Sequence, residues 1–541
     1  MLEDPFRLSD EVVVAVAALR PMSATFWGIP GHDAEWDDLS PEGNARAQAC
    51  LAAFAARVPE PGGDRWSRLA TDVLADFLRL ELDRYAHDDP RRDLNHIASP
   101  FQLVRMVFDA MDPDASDARL RRLETLDDAL DGYRRTLATG LDAGDVVAAR
   151  QVRAVIVQGR VIAGEGSPFR AMKGGDPARM GAAVEGACAA YGRLSDWLEQ
   201  VYLPRARATD GVGRERYVRQ AWRFLGMAID PEETYAWGWR EIASVRSQMD
   251  ALAAKIAPGK TVPEVLALLT QDPAYGAPDI DTFLTRMRAR QHDALAQLAG
   301  THFDVPAPVR TLDVKLAPPG GPLGAYYSAP SDGFGRPGCV WYAPGDGKAF
   351  PIFDQVSTAY HEGFPGHHLQ VGIQVALTSR LSRLHRVADG YSGYAEGWAL
   401  YAEQLMAELG YYEEPAWHFG MLANQVIRAC RVVIDIGSHL GLSIPTDQPF
   451  HPGEAWTFEA GVEMLTGMGG LSPDRAESEV TRYLGWPGQV ISYKVGQRVI
   501  LELRAAERAR LGAAFDPKAF HANVLGSGNV GLDHLRRLFM P

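Results

Sequence analysis

Cysteine is scarce in this chain: four among 541 residues, Cys50, Cys188, Cys339 and Cys430, far apart and in no paired spacing. That pattern excludes a disulfide framework and a cysteine-built zinc knuckle, and it suits free, buried thiols. Long apolar runs are missing too. Nothing approaches the roughly 18 consecutive apolar residues that a spanning helix requires, so no membrane partner is expected. Positive charge is in deficit, with 55 Lys+Arg against 69 Asp+Glu, a formal net charge of −14. The deficit argues against nucleic acid or an anionic membrane as partner. Met1-Leu2-Glu3-Asp4-Pro5 lacks the basic start, apolar stretch and cleavage site of a secretory leader, and the expected compartment is cytoplasmic. No motif recurs at a fixed period, which excludes a repeat solenoid.

What remains, 46% apolar and 23% charged residues, is the composition of a soluble globular protein. Its length predicts a large two-lobed body with an ample core. Helical periodicity dominates residues 1–300. Leu69, Val73, Leu74, Phe77, Leu78 and Leu82 recur at the intervals of one buried helical face. Helices are expected over Phe101–Met111, Arg119–Leu141, Asp145–Ile162 and Met180–Leu203. Asp230-Pro231 reads as an N-cap followed by proline in the first turn, opening a helix to about Ile256. The arginines at 119–122, flanked by acids, read as a solvated helix face, and His32 as a surface polar residue. At about Thr301 proline and glycine become dense. Short β-prone runs at Val309–Leu316, Gly324–Ser328 and Gly338–Tyr342 predict a small sheet. The expected division is thus a helical lobe over 1–300, a β-containing cleft wall over 301–355 and a helical metal-binding lobe over 356–541. The pattern is that of a mostly α fold with a small sheet just before the last helical lobe. No signal for oligomeric state is apparent.

The chemistry concentrates in Tyr360-His361-Glu362-Gly363-Phe364-Pro365-Gly366-His367-His368 and, further on, Glu396. Two neutral imidazoles, one carboxylate and a vacant position for water are what a catalytic zinc site requires. In the simple H-E-x-x-H pattern the histidines lie four apart on one helical face. Here His367 is six on from His361, which in a regular helix directs it roughly 240° away. Pro365-Gly366 interrupts the helix, and a local bulge taking up the two surplus residues returns His367 to the face of His361. The expected ligands of one Zn2+ ion are therefore His361, His367 and Glu396, with Glu362 as general base. His368 is the weaker ligand candidate, facing substrate or lying behind the ligands, and Glu403 is a reserve ligand or an acceptor for a histidine N–H.

With these residues stand Ala18-Leu19-Arg20-Pro21, Gly28-Ile29-Pro30-Gly31-His32, Ala325-Tyr326-Tyr327, Arg336-Pro337-Gly338, Glu396-Gly397-Trp398-Ala399-Leu400-Tyr401-Ala402-Glu403, Arg431-Val432-Val433-Ile434-Asp435, Arg482-Tyr483-Leu484, Pro487-Gly488-Gln489 and Ser492-Tyr493-Lys494. As an ordered set over nearly the whole length, they resemble the bacterial family catalogued as domain of unknown function 885. That family is grouped with the gluzincin metallopeptidases and carries a PGHH variant of their zinc motif. The resemblance implies a mostly α, metallopeptidase-like fold with a small sheet beside the zinc-motif helix, with Tyr493 assisting the oxyanion and Arg482 and Tyr483 binding a peptide carboxylate. The expected function is zinc-dependent hydrolysis of amide bonds, and a helical enclosure with a deep cleft favours short peptides as substrates. Tyr326, Tyr327 and Arg336 are candidates for a cleft wall where an extended peptide adds to a strand edge. Arg431, Asp435 and His439, at i+4 steps, form either an ion-pair network or a device in which His439 donates to the substrate carbonyl. The rivals are an esterase or amidase acting on a small metabolite and a catalytically silent binding protein. The presence of Glu362 argues against silence.

Overall fold

The computed structural model describes residues 3–112, 114–174, 176–317, 324–343, 350–388 and 390–539. Helix accounts for 68% of the structure. The mostly α expectation therefore holds, and among the described residues no helix is long and apolar enough to cross a membrane. The chain forms two compact units, one of residues 1–210 with 378–388 and 484–486, the other of 211–377 with 389–483 and 487–541.

The first unit is helical. Phe101, Phe108, Phe169 and Tyr191 centre its larger core, with the Phe101 and Tyr191 rings edge to face at 5.1 Å. A second cluster gathers Leu8, Val12, Val16, Leu74 and Leu78. The periodic stripe from Leu69 onward is borne out by a helix, Arg65–Ala86, whose N-cap Asp64 accepts from Ser67 N–H. Arg122 departs from the expected solvated face. It is fully buried and donates to the carbonyls of Glu35, Pro21 and His32 and to Thr25 Oγ1. Acceptors about a hundred residues away, at Pro21, Thr25, His32 and Glu35, take up its Nε and Nη2, and no local pattern reveals them.

The second unit begins at Gly211, so the helical residues 211–300 belong to it and not to the first lobe. Helix Pro231–Ile256 starts as expected on an Asp230 cap that accepts from Glu233 N–H at 2.9 Å. It packs along Pro415–Leu440. Periodicity shows that a helix has a buried face and says nothing about which core receives it. The expected sheet forms from Leu312–Leu316, Gly324–Ser328 and Gly338–Ala343. Gly338–Ala343 is central, parallel to the first strand and antiparallel to Gly324–Ser328, with Tyr326 opposite Trp341. Two stretches of the expected β segment, 318–323 and 344–349, lie outside the described residues. Helices Ser392–Glu408 and Ser492–Leu511 cross at glycines. A Cβ at Gly496 would come within 1.9 Å of the Gly393 carbonyl, and one at Gly397 within 2.5 Å of the Gly496 carbonyl carbon. Only glycine allows the two backbones so close, and the crossing sets Glu396 and Tyr493 on neighbouring helices.

Candidate metal centre

The histidine motif folds as two helices, not as one bulged helix. Gln355–Glu362 ends immediately after the first histidine and Glu362, and His367–Ala376 begins at the second. The turn between them is held from outside. Gln291, buried on the helix Ile280–Leu298, accepts from Phe364 N–H at 2.7 Å and donates to the Ala359 carbonyl. Trp398 Nε1 donates to the Pro365 carbonyl at 2.9 Å. Gly366 is obligatory: a Cβ there would lie 1.9 Å from the His361 carbonyl oxygen and 2.4 Å from that of Tyr360. The chain thus doubles back tightly enough for residue 367 to face residue 361.

His361, His367 and Glu396 converge, their nearest ligand atoms all within 4.8 Å of one another. His361 Nε2 lies 3.3 Å and His367 Nε2 3.6 Å from Glu396 Oε2. Donors on a tetrahedral shell about 2.05 Å from a zinc ion are about 3.3 Å apart, so these separations suit three ligands of a common ion. Among the described residues Glu396 Oε2 is buried and, the two nearby imidazoles apart, has no hydrogen-bond partner, a costly state for a carboxylate oxygen unless a cation answers it. Burial opposes ionisation of Glu396, yet His361 and His367 hold its carboxyl well below the usual range. The residues present fit a zinc ion.

Glu403 is not a ligand. It lies behind the first histidine, fully buried, and accepts from His361 Nδ1 at 2.7 Å, from Ser357 Oγ at 2.7 Å and from Gln425 Nε2 at 3.2 Å. Fixing the proton on Nδ1 leaves Nε2 as the bare donor facing the cluster, the arrangement that orients metal-bound histidines. Burial pulls the His361 pKa down, but the Glu396, Glu403 and Glu362 carboxylates together outweigh it and raise it to about 9. Glu362, next to His361, is half-buried, and burial pushes its carboxyl up while the two histidines pull it down.

His368 is turned away from the cluster. It is 1% exposed; its Nε2–H donates to the Val309 carbonyl at 2.7 Å, and Nδ1 accepts from the Tyr327 hydroxyl at 3.1 Å. Burial lowers its pKa to about 4, so the ring is a neutral clamp, neither ligand nor substrate contact. Tyr327, expected on a cleft wall, is committed to the same clamp. Tyr326 stacks on Trp341 at 6.3 Å, and Arg336 is exposed. His439 is also absorbed, because its Nε2–H donates to the Tyr483 carbonyl at 3.0 Å. Asp435 accepts from Tyr217 and from Gly488 N–H, and burial pushes its carboxyl up to about 7. The expected Arg431–Asp435 pair does not form: Arg431 bonds Glu479 at 2.8 Å and the Tyr483 hydroxyl at 3.1 Å. Tyr483 is fully buried and donates to Glu479, which leaves it no face for substrate. Arg482 bonds Glu479 at 3.3 Å and Gln489 at 3.0 Å. Tyr493, by contrast, is half-buried on the Ser492–Leu511 helix with the Arg431 guanidinium 4.8 Å from its ring centre. Burial, and then the Glu396 carboxylate, push its phenol pKa up, so the proton stays on the oxygen.

The family model described as "Bacterial protein of unknown function (DUF885)" matches residues 21–539. The chain belongs to this family. No curated protein matches the chain. Among solved structures, a candidate lipoprotein from Colwellia psychrerythraea is similar with a TM-score of 0.85 at 24% identity, covering 100% of this chain and 99% of that one. A candidate lipoprotein of unknown function from Shewanella oneidensis is similar with a TM-score of 0.74 at 16% identity, covering 99% of each. At these identities the likeness establishes a shared fold for this DUF885 member.

Proposed function

We propose that this DUF885 protein is a zinc-dependent hydrolase of amide bonds in short peptides, related to the gluzincin peptidases through its HExxPGHH motif. The supporting observation is the convergence of His361 Nε2, His367 Nε2 and Glu396 Oε2 at spacings that match a zinc shell. A zinc ion there would polarise a scissile carbonyl and acidify a water molecule.

The chain's own residues supply the rest. Glu403 holds the His361 ring by its Nδ1–H. Glu362 takes a proton from the attacking water at its carboxylate and returns it to the departing amine. Burial raises the Glu362 pKa, which suits a group that must both accept and release a proton. Tyr493, its phenol protonated, donates to the oxyanion as the carbonyl becomes tetrahedral. Among the described residues the Gly324–Ser328 strand pairs on one side only, and its other edge offers main-chain groups to an extended peptide.

Glu362→Gln tests the assignment: zinc retained near one per chain with turnover of a peptide library lost by about 100-fold or more. Undiminished turnover would remove Glu362 as base. Short peptides, not folded proteins, are the proposed substrates, and equal cleavage of both would contradict that. The proposed compartment is the cytoplasm. Recovery in the membrane fraction would instead place the protein with neighbours named as lipoproteins.

A further inference from the structure

Three arginines gather beside Tyr493 with too few carboxylates to answer them. Arg431 and Arg482 share one acid, Glu479, at 2.8 and 3.3 Å. Arg428, one turn before Arg431 on the Pro415–Leu440 helix, has as its nearest carboxylate Glu403 at 3.8 Å. That acid already accepts from His361, Ser357 and Gln425. Among the described residues Arg428 makes no side-chain hydrogen bond, and its Nε is buried without a partner. All three side chains are nearly buried, at 14%, 11% and 14% exposure for Arg428, Arg431 and Arg482. Lys494, next along the chain, is separately answered by Glu241 at 2.6 Å.

Buried guanidinium charge without an exclusive acid is costly. Arg431 has spent Nε on Tyr483 and Nη2 on Glu479, leaving Nη1 unbonded among the described residues, and its guanidinium carbon lies 4.8 Å from the ring centre of Tyr493. Arg428 stands three residues before Arg431 on one helix face, next to that guanidinium, and its charge is felt by Glu362 and Tyr493 as well as by Glu403 and Asp354. With a divalent ion balancing Glu362 and Glu396, the surroundings of Tyr493 keep an excess of positive charge.

We propose that Arg428 and Arg431 form a subsite for the terminal carboxylate of a peptide, so that the protein removes residues from free C-termini. The inference rests on the hydrolase reading above and names its substrate class. Arginine's planar fork matches a carboxylate in two parallel hydrogen bonds, and Arg482 and Tyr483, tied to Glu479, serve only to hold Arg431 in place. Hydrolysis adds one water: a C–O bond forms at the scissile carbonyl, the C–N bond breaks, and the leaving amine takes the proton from Glu362.

The test uses the zinc-loaded full chain and two probes, an N-acyl dipeptide with a free C-terminal carboxylate and the same dipeptide as its C-terminal amide. The wild type should favour the carboxylate by at least about 10-fold in kcat/KM. Arg428→Gln should bring the ratio near one, mainly through KM, and Arg428→Lys should restore part of it. Equal rates for the two probes in the wild type, or an undiminished ratio in Arg428→Gln, would overturn the inference while leaving the hydrolase reading intact. If neither probe is cleaved, the hydrolase reading fails, and calorimetry of both probes on the Glu362→Gln protein still decides the subsite. A carboxylate preference that Arg428→Gln abolishes supports it, and equal binding overturns it.

Discussion

Replacing Glu403 by glutamine examines the metal centre without touching a ligand. Three donors point at this carboxylate: His361 Nδ1–H and Ser357 O–H at 2.7 Å and the Gln425 amide at 3.2 Å. A glutamine can keep its oxygen on His361 and let the serine hydroxyl turn round to accept. Its NH2 then meets the Gln425 NH2, donor against donor, or Gln425 must flip and abandon Lys494, to which its oxygen is bound at 3.0 Å. The variant also strips Arg428 of its nearest negative charge. Loss of such an outer partner weakens metal binding by about 10- to 100-fold, roughly 1.4–2.8 kcal/mol at 1.4 kcal/mol per tenfold. Competition against a chromophoric chelator reads the zinc affinity directly, and near-ultraviolet circular dichroism checks the fold. A glutamine variant that is folded yet binds zinc within about threefold of the wild type would refute the role given to Glu403.

Other outcomes follow from single contacts. Gly366→Ala drives a methyl group into the His361 and Tyr360 carbonyls and should cost about 1–3 kcal/mol or more, seen as a lowered melting temperature and lost zinc; an unchanged melt and full zinc would contradict the turn geometry. His521 is buried, its Nδ1–H donating to the His302 carbonyl and its Nε2 accepting from Tyr401, and burial lowers its pKa to about 4. Because the unfolded ring takes a proton below about 6.5 and the folded ring only near 4, its contribution is full above pH 6.5. It is lost as the pH falls from there to 4, by up to roughly 3 kcal/mol at 1.36 kcal/mol per pKa unit. His521→Gln, which cannot charge, should therefore show a flatter melting temperature between pH 7 and 4.5 than the wild type. A parallel decline in the two proteins would exclude this histidine as an acid-sensitive group.

The sequence was most informative where local pattern decides structure. The Asp230 cap, the amphipathic stripe from Leu69, the three strands and the pairing of His361, His367 and Glu396 were legible because each is a matter of residue type at a spacing. The break at Pro365-Gly366 was legible as an interruption but not as two helices, since its form depends on Gln291, some seventy residues away, holding Phe364 and Ala359. Tertiary partners redirected other side chains in the same way. His368 lies beside a ligand in the chain, yet Val309 and Tyr327 claim both its nitrogens, and Tyr483 is consumed by Glu479 and Arg431. Glu479 stands three residues before Arg482 and four before Tyr483, a helical spacing that signals this network in advance. Arg428 carries a comparable hint, three residues before Arg431 on one face, but its shortage of partners appears only once the neighbouring carboxylates are placed.

The most direct test is diffraction from crystals grown with zinc, with anomalous data collected on both sides of the zinc edge. The account expects one anomalous peak within about 2.0–2.2 Å of His361 Nε2, His367 Nε2 and a Glu396 oxygen, with Glu403 remaining on His361 Nδ1. No peak there at saturating zinc, or a peak held by other residues, would contradict it.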